Sequence, residues 1–372
     1  LVRPLSRRGI ECAVYTPGAG DLAYAFRDYG VPVYTTPSAI EFDPDILHCQ
    51  HLPVALCLLE RFPGVPALFM VHDAKSPFDL ALPWPRFARF VAVDEYCRER
   101  ICVETGLGAD DVSLVFNAVD IESFGRRQPL PEHPVRAAIY TSHAPHSEHV
   151  RLVERVCAHL GIELTRIGHA AGHYTAEPHQ LLQQFDLVFG KARCAMEAMA
   201  VGAAVILIGP EGVGEYVTPG RVAAMRRRNF GRSLLHLPLT DAALKAQIAR
   251  YSAPLSTAVC EVIRNCCGTE AMCDAMMDVY RVVASAGAGA GVTESDRSWT
   301  IRPGQMAGFL EPLVRENGAF RLAYRDCKWR LELAATEQRE SELAEREGQV
   351  AQREGEVERQ AGALAEMRTG LD

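Results

Sequence analysis

Residues Asp186–Glu215 read DLVFGKARCAMEAMAVGAAVILIGPEGVGE, and this stretch decides the fold. Leu187-Val188-Phe189 is an apolar run of strand length. Gly190-Lys191-Ala192-Arg193 reads as a tight loop. Cys194–Val201, rich in small residues, reads as a buried helix. Gly202 suits the position after a helix end, where a positive φ is needed. Ala204–Ile208 is a second buried strand. Strand, helix and strand within about thirty residues make a βαβ unit, and parallel strands covered on both faces carry unbroken apolar runs of this kind.

Two features of the unit interrupt its apolar character. Lys191 and Arg193 sit where the helix begins, and Glu197 lies on an otherwise apolar helix. A helix N-terminus offers free N–H groups and partial positive charge, so it attracts anions. The two cations add formal charge there, and a diphosphate is the guest they suit. A carboxylate on an apolar helix is costly unless paired. Two readings of Glu197 stay open at this point. In one it forms an i,i+4 salt bridge to Arg193, worth roughly 0.2–0.5 kcal/mol. In the other it accepts hydrogen bonds from vicinal hydroxyls of a ligand, such as a ribose.

The chain has 372 residues, enough for two ordinary domains and an appendage, and 48% of them are hydrophobic. A net charge of −8 argues against a general nucleic-acid binder. The longest apolar run, around Ala195 to Gly209, is shorter than a membrane span and contains Glu197. No signal peptide is visible. The chain opens on Leu1 in what reads as the end of a helix, so an N-terminal piece is expected to be missing. The twelve cysteines contain no Cys-x-x-Cys, which points to buried thiols in a reducing compartment. The protein is read as cytoplasmic, with peripheral attachment at the inner membrane face left open. His143, His146 and His149 have a suggestive spacing. Two of them precede a helix and no carboxylate cluster accompanies them, so neither a metal nor another cofactor is expected.

From the N-terminus, strands are expected at Glu11–Tyr15, Val31–Tyr34, Pro44–Cys49, Pro66–His72, Phe87–Val93 and Val112–Phe116. Helices are expected at Leu22–Tyr29, Leu52–Phe62 and Glu95–Glu104. This alternation makes a doubly wound α/β domain, in which ligands bind beyond the C-terminal strand ends. His48, Gln50, His51, His72, Asp73 and Asn117 stand at such ends. Arg126–Pro134 (RRQPLPEHP) reads as a linker. A second α/β domain follows, with strands at Val135–Tyr140 and Leu164–Ile167 and helices at Val150–Leu160 and Gln180–Gln184. Helices at Thr240–Tyr251, Val259–Asn265 and Thr269–Ala284 come after the opening βαβ unit. The expected domains are 1–130 and 131–283, then a Gly/Ala linker at 284–297 and a charged helical tail at 298–372. Thr336, Leu343, Val350, Val357, Leu364 and Leu371 recur every seven residues in that tail. Gly348 and Gly355 interrupt it and the second apolar heptad position is mostly charged. It reads as a solvated helix or a segment for weak self-association through 330–372.

Several ordered segments resemble one family. Val115-Phe116-Asn117-Ala118-Val119-Asp120 with Phe124 resembles the "P-N-G-V-D…F" segment of retaining GT-B glycosyltransferases, the glycogen synthase and mannosyltransferase-like group. Phe90–Glu95 resembles their "V-V-A-V-S-E", Glu197–Gly202 their "E-A-M-A-x-G", and Gly212–Glu215 their "G-G-x-x-E". The resemblance spans about residues 1–283. It implies two Rossmann-like domains and transfer of a sugar, with retention and without a metal, from a nucleotide-diphosphate-sugar donor (UDP or GDP) to a glycan or glycoconjugate acceptor, as in polysaccharide biosynthesis. It implies that Glu197 binds the ribose and that Lys191 and Arg193 hold the diphosphate. His72, with Asp73 beside it, is implied at the transferred sugar. Gly190, Glu211, Gly212 and Glu215 complete the implied donor site.

Two departures qualify this. The family's first glutamate, eight positions before Glu197, is Phe189 here, and Glu211 is the candidate to take its role. The basic pair after the first strand of the second domain is replaced by Thr141-Ser142-His143. Two alternatives remain beside a transferase: a non-catalytic GT-B-like nucleotide- or glycan-binding module, and a nucleotide-sugar epimerase.

Overall fold

The computed structural model describes residues 1–18, 21–141, 147–168 and 178–289. All of them fall within one compact unit, Leu1–Glu294. The tail at 298–372 and its heptad spacing lie outside the described residues, as do His143, His146 and most of the expected Gly/Ala linker.

The first half contains α1 (Val2–Arg7), β1 (Val14–Tyr15), α2 (Asp21–Asp28), β2 (Val33–Tyr34), β3 (Leu47–Cys49), α3 (Leu52–Arg61), β4 (Ala67–Val71), β5 (Phe87–Ala92), α4 (Glu95–Thr105) and β6 (Val112–Leu114). β3 to β6 form a parallel sheet in sequence order, and β1 and β2 pair separately, also in parallel. β4 is buried at all five positions, as its unbroken ALFMV run requires. Asp94 starts α4 by accepting the Cys97 N–H at 2.7 Å, and Gly106 ends it in the left-handed region.

The second half contains β7 (Arg136–Tyr140), α5 (Glu148–Leu160), β8 (Glu163–Ile167), α6 (Pro178–Leu182), β9 (Leu187–Gly190), α7 (Ala192–Val201), β10 (Ala204–Gly209) and β11 (Gly212–Tyr216). Four helices follow: α8 (Val222–Arg227), α9 (Asp241–Ile248), α10 (Ala253–Cys266) and α11 (Thr269–Gly289). The sheet order is β11-β10-β9-β7-β8, parallel except for the β10–β11 hairpin. α7 is buried from Ala195 to Val201, and Gly202 follows it at φ +97°. It packs on α10, where Arg264 donates to the carbonyls of Ile121, Phe124 and Ala200 at 2.6–3.0 Å.

Two expectations are corrected. The helix after Gly190 begins at Ala192, which places Arg193 in its first turn rather than in a loop. α11 continues to Gly289, past the expected linker start at residue 284, because Ala-rich sequence sustains a helix despite its glycines. α11 also returns to the first half. Arg8 reaches Asp274 at 2.6 Å and Glu270 at 2.5 Å, and the Tyr280 hydroxyl lies 2.8 Å from His48 Nδ1.

The Pro-rich segment Arg126–Pro134 is pinned rather than loose. Arg127 Nη2 donates to Asp186 Oδ1 at 2.8 Å, with side chains 6% and 4% exposed. Asp186 Oδ2 also accepts the N–H groups of Val135 and Arg136, both at 2.9 Å. Removing one partner of a buried pair strands the other charge, at a cost of about 3–5 kcal/mol, whereas exposed pairs contribute about 0–1 kcal/mol. Arg127→Ala should therefore lower unfolding free energy by about 3 kcal/mol. Arg155→Ala, which removes the exposed pair with Asp241, should leave it close to the wild-type value. Urea unfolding of both variants checks this; equal losses would show that Asp186 is satisfied without Arg127.

Candidate active site

β8 lies beyond one side of β7 and β9 beyond the other, so the crossovers on the two sides diverge. The crevice at the C-terminal ends of β7 and β9 is the switch point where such sheets bind ligands. Tyr140 ends β7 and Gly190 ends β9. They are so close that a Cβ on Gly190 would stand 3.1 Å from the Tyr140 carbonyl oxygen. Lys191 occupies the N-cap of α7 in extended conformation without a side-chain capping bond, and no acid lies in the first turn. A cation in the first turn, Arg193, opposes the helix dipole unless an anion shares the place.

Glu197 is 9% exposed. Its Oε2 accepts from the Tyr140 hydroxyl at 2.9 Å, and its Oε1 lies 3.4 Å from Arg193 Nε. The salt bridge of the first reading thus exists, but the Arg193 side chain is 75% exposed, so the pair stabilises little. Burial raises the Glu197 carboxyl above its usual range; the Arg193 charge and the Tyr140 hydrogen bond oppose this without cancelling it. Burial, with the Glu197 charge beside it, also raises the Tyr140 phenol and pushes the Cys194 thiol up to about 12.

Lys191 Nζ donates to Glu211 Oε2 at 2.8 Å, and Arg232 Nε lies 3.5 Å from Glu211 Oε1. Burial would raise Glu211, but the Lys191 hydrogen bond and the two nearby cations hold it below its ordinary value. Arg232 also lies 3.8 Å from Asp73 in the first half of the chain. Gly212 and Glu215 stand apart from this group. Gly212, at φ +154°, packs its Cα on the Leu235 and Leu237 carbonyls, and Glu215 pairs with Arg221 at 3.2 Å. Phe189 is fully buried in the core of the second sheet with Ile139, Ile206 and Tyr216. No group of three His, Cys, Asp or Glu side chains among the described residues converges as a metal site.

The first-half wall is built around Asp79, which is fully buried. Its Oδ2 accepts the N–H groups of His72 and Asp73 at 2.9 and 2.7 Å, and its Oδ1 lies 2.9 Å from His51 Nδ1. His51 holds φ +59°, unusual outside glycine, where β3 turns into α3. Burial lowers the His72 imidazole, and the Asp79 charge opposes this while those of His51 and Arg193 add to it, so His72 and Arg193 sense each other. His72 Nε2 is buried with no hydrogen-bond partner among the described residues. Burial and the His72 charge lower His48 to about 3. Lys191, Arg193, Glu197, Glu211 and Gly190 are thus gathered on one wall, and His72 and Asp73 on the other. Sequence reasoning missed Tyr140, Asp79 and Arg232. Only the Arg226–Arg232 cluster of basic residues carried any signal, and nothing in it singled out Arg232.

Burial would raise the Asp79 carboxyl, but the His51 hydrogen bond and charge and the two N–H donors hold it below its usual 3.8. The stability it lends is therefore complete above that value and lost as pH falls through the depressed one. Asp79→Ala should cost about 2 kcal/mol or more at neutral pH by orphaning two N–H groups. It should also flatten the acid side of the stability profile. Denaturant unfolding from about pH 7 down to about pH 3 measures both; an unchanged acid side would remove Asp79 as an organiser of this wall.

Residues 1–123 match the model of Glycosyltransferase Family 4. No curated protein matches the chain. Among solved structures, HepE from Anabaena, in complex with UDP and glucose, is 12% identical with a TM-score of 0.56, over 75% of this chain and 93% of that one. A glycosyltransferase from Rickettsia africae is also 12% identical, with a TM-score of 0.52 over 76% and 92% of the two chains. The described body therefore has the GT-B fold, with the sequence pattern of Glycosyltransferase Family 4 in its first 123 residues.

Proposed function

We propose that this chain transfers a sugar from a nucleoside-diphosphate-sugar donor to a glycan or glycoconjugate acceptor, with retention and without a metal. The observation that carries the reading is the buried Glu197 carboxylate beside Arg193 on α7, with Lys191 at the N-terminus of that helix, all at the switch point of the second sheet. A buried carboxylate with two weak partners keeps lone pairs for the vicinal hydroxyls of a ribose. The α7 N-terminus, Lys191 and Arg193 suit a diphosphate, and Gly190 lets its backbone approach. HepE, similar in fold, was solved with UDP and glucose, which supports a UDP-sugar as donor. His72 Nε2, which has no hydrogen-bond partner among the described residues, is the group to meet the transferred sugar, with Asp73 beside it. Glu211 lines the anion site, while Gly212 and Glu215, held against Leu235, Leu237 and Arg221, have no part in it.

Chemically, such a site stabilises the charge that builds on the leaving diphosphate, and fixed cations and N–H dipoles do so without reorganising. A second reading is a module that binds nucleotide or glycan without turnover. Phe189 favours it, because core side-chain packing fills the position where the family carries its first glutamate.

Glu197→Ala and Lys191→Ala should each weaken UDP or GDP binding by about tenfold to a hundredfold, the worth of a hydrogen bond to a charged group. Calorimetry reads this directly, and unchanged affinities would remove the site assignment. The raised carboxyl of Glu197 adds a pH signature. Binding that needs the ionised form weakens as pH falls, starting above the usual carboxylate value of 4.5. Glu197→Gln should lose that component relative to wild type. Turnover of a UDP-sugar by the whole chain would exclude the non-catalytic reading.

A further inference from the structure

Arg232 follows the turn that ends α8. Asn229 and Phe230 in that turn hold φ of +52° and +49°, where side-chain-bearing residues are rarely found. Such conformations persist where the surroundings enforce them. Here the Phe230 side chain is fully buried, and its carbonyl accepts the Ala192 N–H at 2.8 Å. Ala192 is the first residue of α7 and is itself at φ +51°. The turn is thereby fastened to the start of α7, and it delivers Arg232 to the carboxylate that Lys191 already holds. Lys191 bears on Glu211 Oε2 at 2.8 Å and Arg232 on Oε1 at 3.5 Å. The Lys191 and Glu211 side-chain ends crowd the face of Gly209, where an added Cβ would stand 2.9 Å from Nζ and 2.8 Å from Oε2.

Lys191 and Arg232 converge on the Glu211 carboxylate, and Arg232 stands 3.8 Å from Asp73 as well. A diphosphate brings more charge and several acceptor oxygens, and a guanidinium recognises phosphate oxygens in pairs. We propose that Arg232 is a donor-binding residue, the second cation of the diphosphate subsite, and that Glu211 holds the place of the diphosphate until the donor displaces it. This rests on the donor reading of the α7 N-terminus. It supplies, from a different element, the cation that the chain lacks after β7. The exchange leaves neither Lys191 nor Arg232 unpaired at any stage.

The test is calorimetric titration of the whole chain with inorganic pyrophosphate and with UDP. Arg232→Met should weaken both by about tenfold or more, and Arg232→Lys should recover part of the loss. Glu211→Gln should strengthen pyrophosphate binding severalfold, because the competing anion is gone. A misfolded protein cannot produce that gain, so Glu211→Gln decides the matter even if Arg232→Met does not fold. Wild-type affinity in Arg232→Met, or unchanged or weaker binding in Glu211→Gln, would overturn the proposal. Loss of binding in Lys191→Ala with none in Arg232→Met overturns this assignment alone. A wild-type chain that binds neither ligand overturns the donor reading as well.

Discussion

The Asp186 carboxylate is the fixed point of the second half of the molecule. It stands just before β9, receives the first two N–H groups at the start of β7, and is neutralised by Arg127. It therefore sets how β7 and β9 lie against each other at their N-terminal ends. Their C-terminal ends, a strand length away, form the crevice that holds Tyr140, Gly190 and Lys191. The Arg127 N–H meanwhile donates to the Val201 carbonyl at 2.8 Å, tying the same segment to the far end of α7. The β7–β9 ladder then carries that register along the strands, from the ion pair at their N-terminal ends to the site at their C-terminal ends. Arg264 extends the arrangement by fastening the chain between the halves to the last turn of α7.

Within the crevice, two glutamates about one loop apart are driven in opposite directions. Glu197 is raised, because burial outweighs a weak arginine contact and one phenol. Glu211 is lowered, because it stays partly exposed and meets two cations. The difference is environmental rather than chemical. One is a buried acceptor with few partners. The other is a well-satisfied anion among cations. Across the crevice, Asp79 removes conformational freedom from the His72–Asp73 backbone, so that wall is also set in place beforehand.

The parallel strands were legible because burial on both faces leaves unbroken apolar runs, as in β4, β9 and β10. α7 was legible from its small residues and terminal glycine, and the cations at its start, Lys191 and Arg193, could be placed there from sequence. What escaped depends on distance along the chain or on disguise. Tyr140 meets Glu197 across 57 positions, and nothing local marks either residue as the other's partner. Asp79 looks like an ordinary loop acid until its carboxylate is seen taking two N–H groups. β11 was hidden because its glycines weaken any strand pattern, while in the fold they let the edge strand approach the Leu234–Leu237 backbone. Arg127 was concealed in a charged, proline-rich segment, where composition suggests solvent. The Phe189 departure was visible in sequence, and its burial gives the reason the position is apolar.

α11 carries one more implication, for how the chain acquires its structure. It follows the second sheet in sequence, yet it supplies partners to Arg8 and His48, at separations of 262 and 232 residues. At about 5–20 residues per second of synthesis, the first sheet would wait on the order of ten seconds or more for these partners. During that interval the surface that α11 covers is open to solvent and to chaperones. Long-range closure of this kind also slows refolding, because the ordering of a long loop must precede the contacts that reward it. The two halves, distinct as sheets, are therefore completed together, when the last described helix docks.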